Sequence, residues 1–177
     1  MLCASVVSLN ANAAEPNQAD VVLSGIISAV TCDIDVNGVP GGTTVNTGMH
    51  ISSDFTTANI NNVTGTPVEM LVQLKNCSSD SNASAPATGG ELFISGNVAA
   101  NGNQNIFIGN DSQTGFMVLT SGGTSATDAI KNGGTVPLNV TAAEGASYTF
   151  NVAMASMIST PTAKLYSAPI TISYASE

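Results

Sequence analysis

Val68–Cys77 reads VEMLVQLKNC, and the period of its apolar residues decides the fold. Val68, Met70, Val72 and Leu74 recur at a spacing of two, so in an extended chain all four point to one face. The same period returns in Ser147–Met157, with Tyr148, Phe150, Val152, Met154 and Ser156 on one face. Near the C-terminus Ile170, Ile172 and Tyr174 alternate with Thr171 and Ser173. A helix would spread each of these sets around its circumference instead of aligning it.

Working outward, further short runs read as strands: Val21–Val30, Asp33–Val36, Thr56–Asn61, Glu91–Asn97, Asn105–Ile108, Gly115–Thr120 and Thr135–Val140. The last strand is expected at Ala163–Tyr174. Turn-forming pairs separate them, among them Asn37-Gly38, Gly41-Gly42, Gly89-Gly90, Gly122-Gly123 and Asn132-Gly133-Gly134. No amphipathic helix of any length is present, although Ser125–Lys131 (SATDAIK) suits a single turn. Many short period-two segments predict an all-β chain folded as a two-sheet sandwich. The polar stretch Ser78–Thr88 (SSDSNASAPAT) reads as a long surface loop within one domain. As a linker it would leave two units at the small end for independent stability.

Composition narrows function. The 177 residues include three Lys, no Arg and twelve Asp or Glu, for a net charge of -9. Only 8% are charged, against about 25% in ordinary domains. With only three cations to pair with phosphates, neither nucleic acid nor polybasic attachment to anionic lipid is expected. With 43% apolar residues the chain has the means to fold.

Met1–Ala13 (MLCASVVSLNANA) is uncharged, largely apolar, and ends in the A-x-A pattern Ala11-Asn12-Ala13. It reads as the back part of a secretory signal peptide lacking its basic region, removed to leave Ala14 first. Cys3 leaves with it. Cys32 and Cys77 remain, and in an oxidising compartment a disulfide between them is the default.

Motifs for catalysis are missing: there is no GxGxxG, P-loop, GxSxG, HExxH or CxxC. His50, the sole histidine, would have to serve alone as base or metal ligand. Asp33-Ile34-Asp35-Val36-Asn37-Gly38 imitates the first half of a calcium loop. Thr44 stands where the bidentate Glu belongs, so the stretch reads as a strand and an Asn-Gly turn. Neither an enzymatic activity nor a cofactor or metal is expected.

Three features together resemble the chaperone–usher pilins, the structural subunits of bacterial type 1-like fimbriae. They are DVVLSGIISAVTC at Asp20–Cys32, Cys77 closing the strand that begins at Leu71, and the terminal PITISY with its near-terminal Tyr174. The resemblance implies an incomplete immunoglobulin-like β-sandwich, residues 25–177, that lacks its last strand. It implies that Cys32 and Cys77 form the family disulfide. Residues 14–24 would be the donor-strand extension, with Ala19, Val21 and Leu23 facing a neighbour's groove. Ile170, Ile172 and Tyr174 would form the groove-side strand that pairs with the chaperone and then with the next subunit. Partners would be copies of itself or other pilins, a periplasmic chaperone and an outer-membrane usher. The product would pass through the periplasm to a surface fimbrium. Ala19 stands where the family usually has Gly, Thr162 replaces a usual Gly, and Ala175-Ser176-Glu177 follow Tyr174 where one residue is normal. The alternative function is a secreted β-sandwich binding module or adhesin that recognises a host receptor or glycan through its loops.

Overall fold

The computed structural model describes residues 30–79, 90–99, 103–140 and 145–176. The leader at 1–13, the extension at 14–24 with Ala19, Val21 and Leu23, and all but the first two residues of Ser78–Thr88 lie outside them. Among the described residues eight strands occur in chain order: β1 (Val30–Val36), β2 (Val39–Pro40), β3 (Val63–Ser79), β4 (Gly90–Gly96), β5 (Thr114–Leu119), β6 (Gly134–Pro137), β7 (Ala146–Ser156) and β8 (Ile170–Ser176). They form two antiparallel sheets, ordered β2-β1-β3-β7-β5 and β6-β4-β8. This is the two-sheet sandwich that the periodicity predicts.

The two long apolar-periodic strands are neighbours at the centre of the larger sheet. Met70 lies opposite Phe150 and Val72 opposite Tyr148 in the β3–β7 register. Their inward faces meet Leu92 and Ile94 of β4, and Val72, Leu92, Ile94, Phe107 and Phe150 are all fully buried. Burial of side chains of this size stabilises by about 1.5–3 kcal/mol each, so these layers hold the sandwich closed. The larger sheet is covered on its outer face too. Ala99, Ile106, Met117, Leu119 and Ala155 make a second apolar cluster, against which Ala126 and Ala129 pack. The expected turn within Ser125–Lys131 is a 3-10 turn at Ala126–Asp128, and Asp128 accepts the N–H groups of Thr124 and Ser125.

Asn37 and Gly38 both have positive φ, 50° and 78°, as a two-residue hairpin between Val36 and Val39 requires. The calcium-loop imitation is thus a strand and its turn. Opposite Cys32 the β1–β3 ladder shifts register, with Asn76 at φ 48°. The Cys32–Cys77 disulfide crosses the two strands at this bulge. Further along, Asp35 is buried on the sheet's outer face and pairs with Lys75 at 2.6 Å.

Three sequence expectations are corrected. Thr56–Asn61 is not a strand but contains a 3-10 turn at Thr57–Asn59. Here the Asn59 amide donates to the Asp54 carbonyl, a local side-chain bond that competes with extended pairing. Asn105–Ile108 pairs only through Phe107, which bridges both Val98 and Phe116. The final strand begins at Ile170, not Ala163, because residues 164–167 are bonded to Asn110 and Asp111 and not to a neighbouring strand.

The Phe107 bridges matter beyond themselves. They link the end of β4 to β5 and so close one side of the sandwich with main-chain bonds. Gly115 makes the closure possible, since a Cβ there would strike the Phe107 carbonyl.

The disulfide joins residues 45 apart, and loss of a loop constraint of that size costs about 4 kcal/mol in the chain-entropy model. Cys32→Ala with Cys77→Ala is expected to lower the urea midpoint accordingly, and reductant should lower the wild-type midpoint to the same value.

Candidate functional site

Opposite the closed side, the sandwich is open. In its sheet β8 pairs with β4 along one edge, and no strand among the described residues pairs with its other edge. In the facing sheet β1 pairs with β3, while β2 covers only Asp35 and Val36. The strands β1 and β8 flank a cleft of about 1260 Å³ that reaches the core. Its floor includes Met70, Phe107, Val118 and Val152. Cys32–Val36 form one wall and Tyr166–Ile172 the other. A strand edge with no neighbouring strand among the described residues, above an apolar floor, is what isolated soluble domains avoid, because it templates pairing with another chain.

The β4–β8 register explains the placement of the C-terminal trio. Ile170, Ile172 and Tyr174 lie opposite Gly96, Ile94 and Leu92. Ile94 and Leu92 are completely buried, whereas all three β8 residues are only half-buried. Ile170 and Ile172 line the cleft, on the face that the alternation assigns to the core. Tyr174 sits beyond its end. Its ring lies over Gly90, where a Cβ would collide with the phenol. Burial pushes the Tyr174 phenol above its ordinary pKa, offset in part by the Ser176 hydroxyl.

Cys32 is at the cleft wall, and the disulfide ties this wall to β3. His50 is in the loop between β2 and β3, within 3.3 Å of the Thr47 carbonyl and edge-on to Phe55, outside the cleft lining. Among the described residues no group of three His, Cys, Asp or Glu side chains converges on a common point.

Sequence reasoning missed what holds the second wall. Asn110 and Asp111, just before β5, bind the segment that leads into β8. Burial raises the Asp111 carboxyl, but the Lys164 ammonium and the N–H groups of Gln113 and Thr114 hold it below the ordinary value. The partner Asp111 raises Lys164 in turn. No periodicity marks this contact, and the positions are 53 residues apart.

No protein-family model and no curated protein matches the sequence. Solved structures do match in fold. The chain is similar to the P pilus rod subunit PapA at 14% identity and TM-score 0.55, over 90% of this chain and all of that one. It is also similar to a subunit from a chaperone–usher pilus whose structure addresses rod uncoiling, again at 14% identity, with TM-score 0.54 over 92% and 98% of the two chains. The fold is the pilin-type, incomplete immunoglobulin-like sandwich.

Tyr174 gives the site a pH signature. A phenol whose folded pKa is raised contributes stability fully below the unfolded value of 10.0, and that contribution is lost as pH rises through the folded value. Urea midpoints should therefore fall from pH 9 to pH 11, and Tyr174→Phe should remove part of that fall. An identical alkaline slope in both proteins would contradict the burial of this phenol.

Proposed function

We propose that the chain is a structural subunit of a bacterial surface fimbria, a pilin that polymerises by donor-strand exchange. The cleft between β1 and β8 carries this reading: a strand laid along β8 would supply the neighbour that this strand lacks among the described residues. Such an occupant gains main-chain ladder bonds to β8 and drops alternate side chains onto Met70, Val118 and Val152. Each net ladder bond is worth about 0.5–1.5 kcal/mol, and each large apolar side chain buried adds about 1.5–3 kcal/mol. Several of both, summed along one strand, make a long-lived junction.

In this reading the occupant is first a strand of a periplasmic chaperone and then residues 14–24 of the next subunit. Ala19, Val21 and Leu23 enter the cleft at period two, and Ile170 and Ile172 receive them. Tyr174 closes the far end. An outer-membrane usher orders the exchange, and the finished fibre stands on the cell surface. The fold it shares with pilus rod subunits supports the reading.

Cell extracts run on gels without boiling should show a ladder of polymers that collapses to one band on heating. Deletion of Ala14–Leu23 should abolish the ladder yet leave a soluble complex with the chaperone. A persistent ladder in the deletion variant would show that another segment fills the cleft.

A further inference from the structure

The cleft wall at Tyr166–Pro169 belongs to no strand, and the chain before it is exposed through Thr162–Leu165. Polar bonds to one short loop fix it. The Asn110 side chain donates to the Leu165 carbonyl at 2.8 Å and accepts the Ser167 N–H at 3.1 Å. The Asn110 N–H donates to the Ser167 carbonyl at 3.4 Å. Asp111 uses both carboxylate oxygens. Oδ2 receives the Lys164 ammonium at 2.8 Å, and Oδ1 accepts the N–H groups of Gln113 and Thr114, each at 2.9 Å. Lys164 also reaches the Asn110 carbonyl at 3.3 Å and lies 5.0 Å from the centre of the Tyr166 ring. Gly109 permits the approach, because a Cβ there would meet the Ser167 carbonyl. The segment feeding β8 is thereby pinned to the loop that enters β5, a strand of the opposite sheet.

We propose that Asn110, Asp111 and Lys164 form a latch that positions the cleft wall leading into β8, and that this latch governs how fast an inserted strand leaves. The proposal rests on the strand-accepting role given above. An incoming strand must ladder onto β8 from Ile170 onward, and the direction of that edge is set by the Ser167–Pro169 backbone just before it. When the wall is fixed in advance, the occupant does not have to order it on binding, and the saving appears chiefly as a slower off-rate. The Lys164–Asp111 pair is partly exposed, with side chains 37% and 24% accessible, so salt weakens it. Lys164 and Asp111 are positioning residues, since the occupant touches the wall they hold.

The test uses polymer assembled from the full chain and follows its loss in urea at fixed temperature on unboiled gels. Lys164→Met should release subunits about fivefold faster, the upper end for an exposed ion pair, and Lys164→Arg should stay near wild type. Added salt should speed release from wild-type polymer and leave Lys164→Met unchanged. Asn110→Ala, which removes the neutral half of the latch, should also release faster while retaining the salt effect. Equal release rates for wild type, Lys164→Met and Asn110→Ala would overturn the latch and leave the strand-accepting role standing. A wild-type chain that forms no ladder would overturn that role and the latch with it.

Discussion

A β-strand has hydrogen-bonding groups along both edges, and burial is tolerable only when both are satisfied. In this molecule β8 satisfies one edge against β4 and presents the other beside an apolar cleft. Everything else can be read as a consequence of that half-paired strand. Water can serve its backbone, but water over Met70, Val118 and Val152 forgoes the burial that stabilises the rest of the core. A side chain or a loose loop would cover the floor without satisfying the edge. Only another extended segment does both.

The two sides of the sandwich are accordingly unlike. On one, the chain crosses from β4 through Ala99 to Phe107 and onto Phe116, closing the sheets with its own backbone. On the other, β1 is fixed in place by its pairing with β3, by the disulfide at its bulge and by the hairpin at Asn37-Gly38.

Much of the sandwich was legible because its strands carry local signals. The alternation in Val68–Leu74 and Tyr148–Met154 could be satisfied only by two-faced strands, and Asn37-Gly38 specifies its turn through positive φ. The open cleft was legible only through the resemblance of the chain ends, since no alternation tells whether a strand has one neighbour or two. What stayed hidden depends on long-range polar contacts. Asn110 and Asp111 look like ordinary loop residues until Lys164 and Ser167 are brought to them. Thr56–Asn61 misled for a related reason, because Asn side chains bonded the backbone locally. Tyr174 shares its periodicity with Ile170 and Ile172, and only the contact with Gly90 shows that it stands beyond the cleft.

The three lysines, in a chain with no arginine, have a consequence for proteolysis. A trypsin-like protease can cut only after Lys75, Lys131 or Lys164, and it needs an extended, unpaired backbone to do so. Lys75 lies within β3, laddered to β1 and flanked by the disulfide. Lys131 accepts the Gly134 N–H in a tight turn, and Lys164 is held by Asp111. Outside the strands only Lys131 and Lys164 are cleavable, the first in a turn and the second in the exposed stretch Thr162–Leu165. The scarcity of cations thus leaves trypsin two loop positions at which to begin, and at one of them the Lys164–Asp111 contact stands in the way.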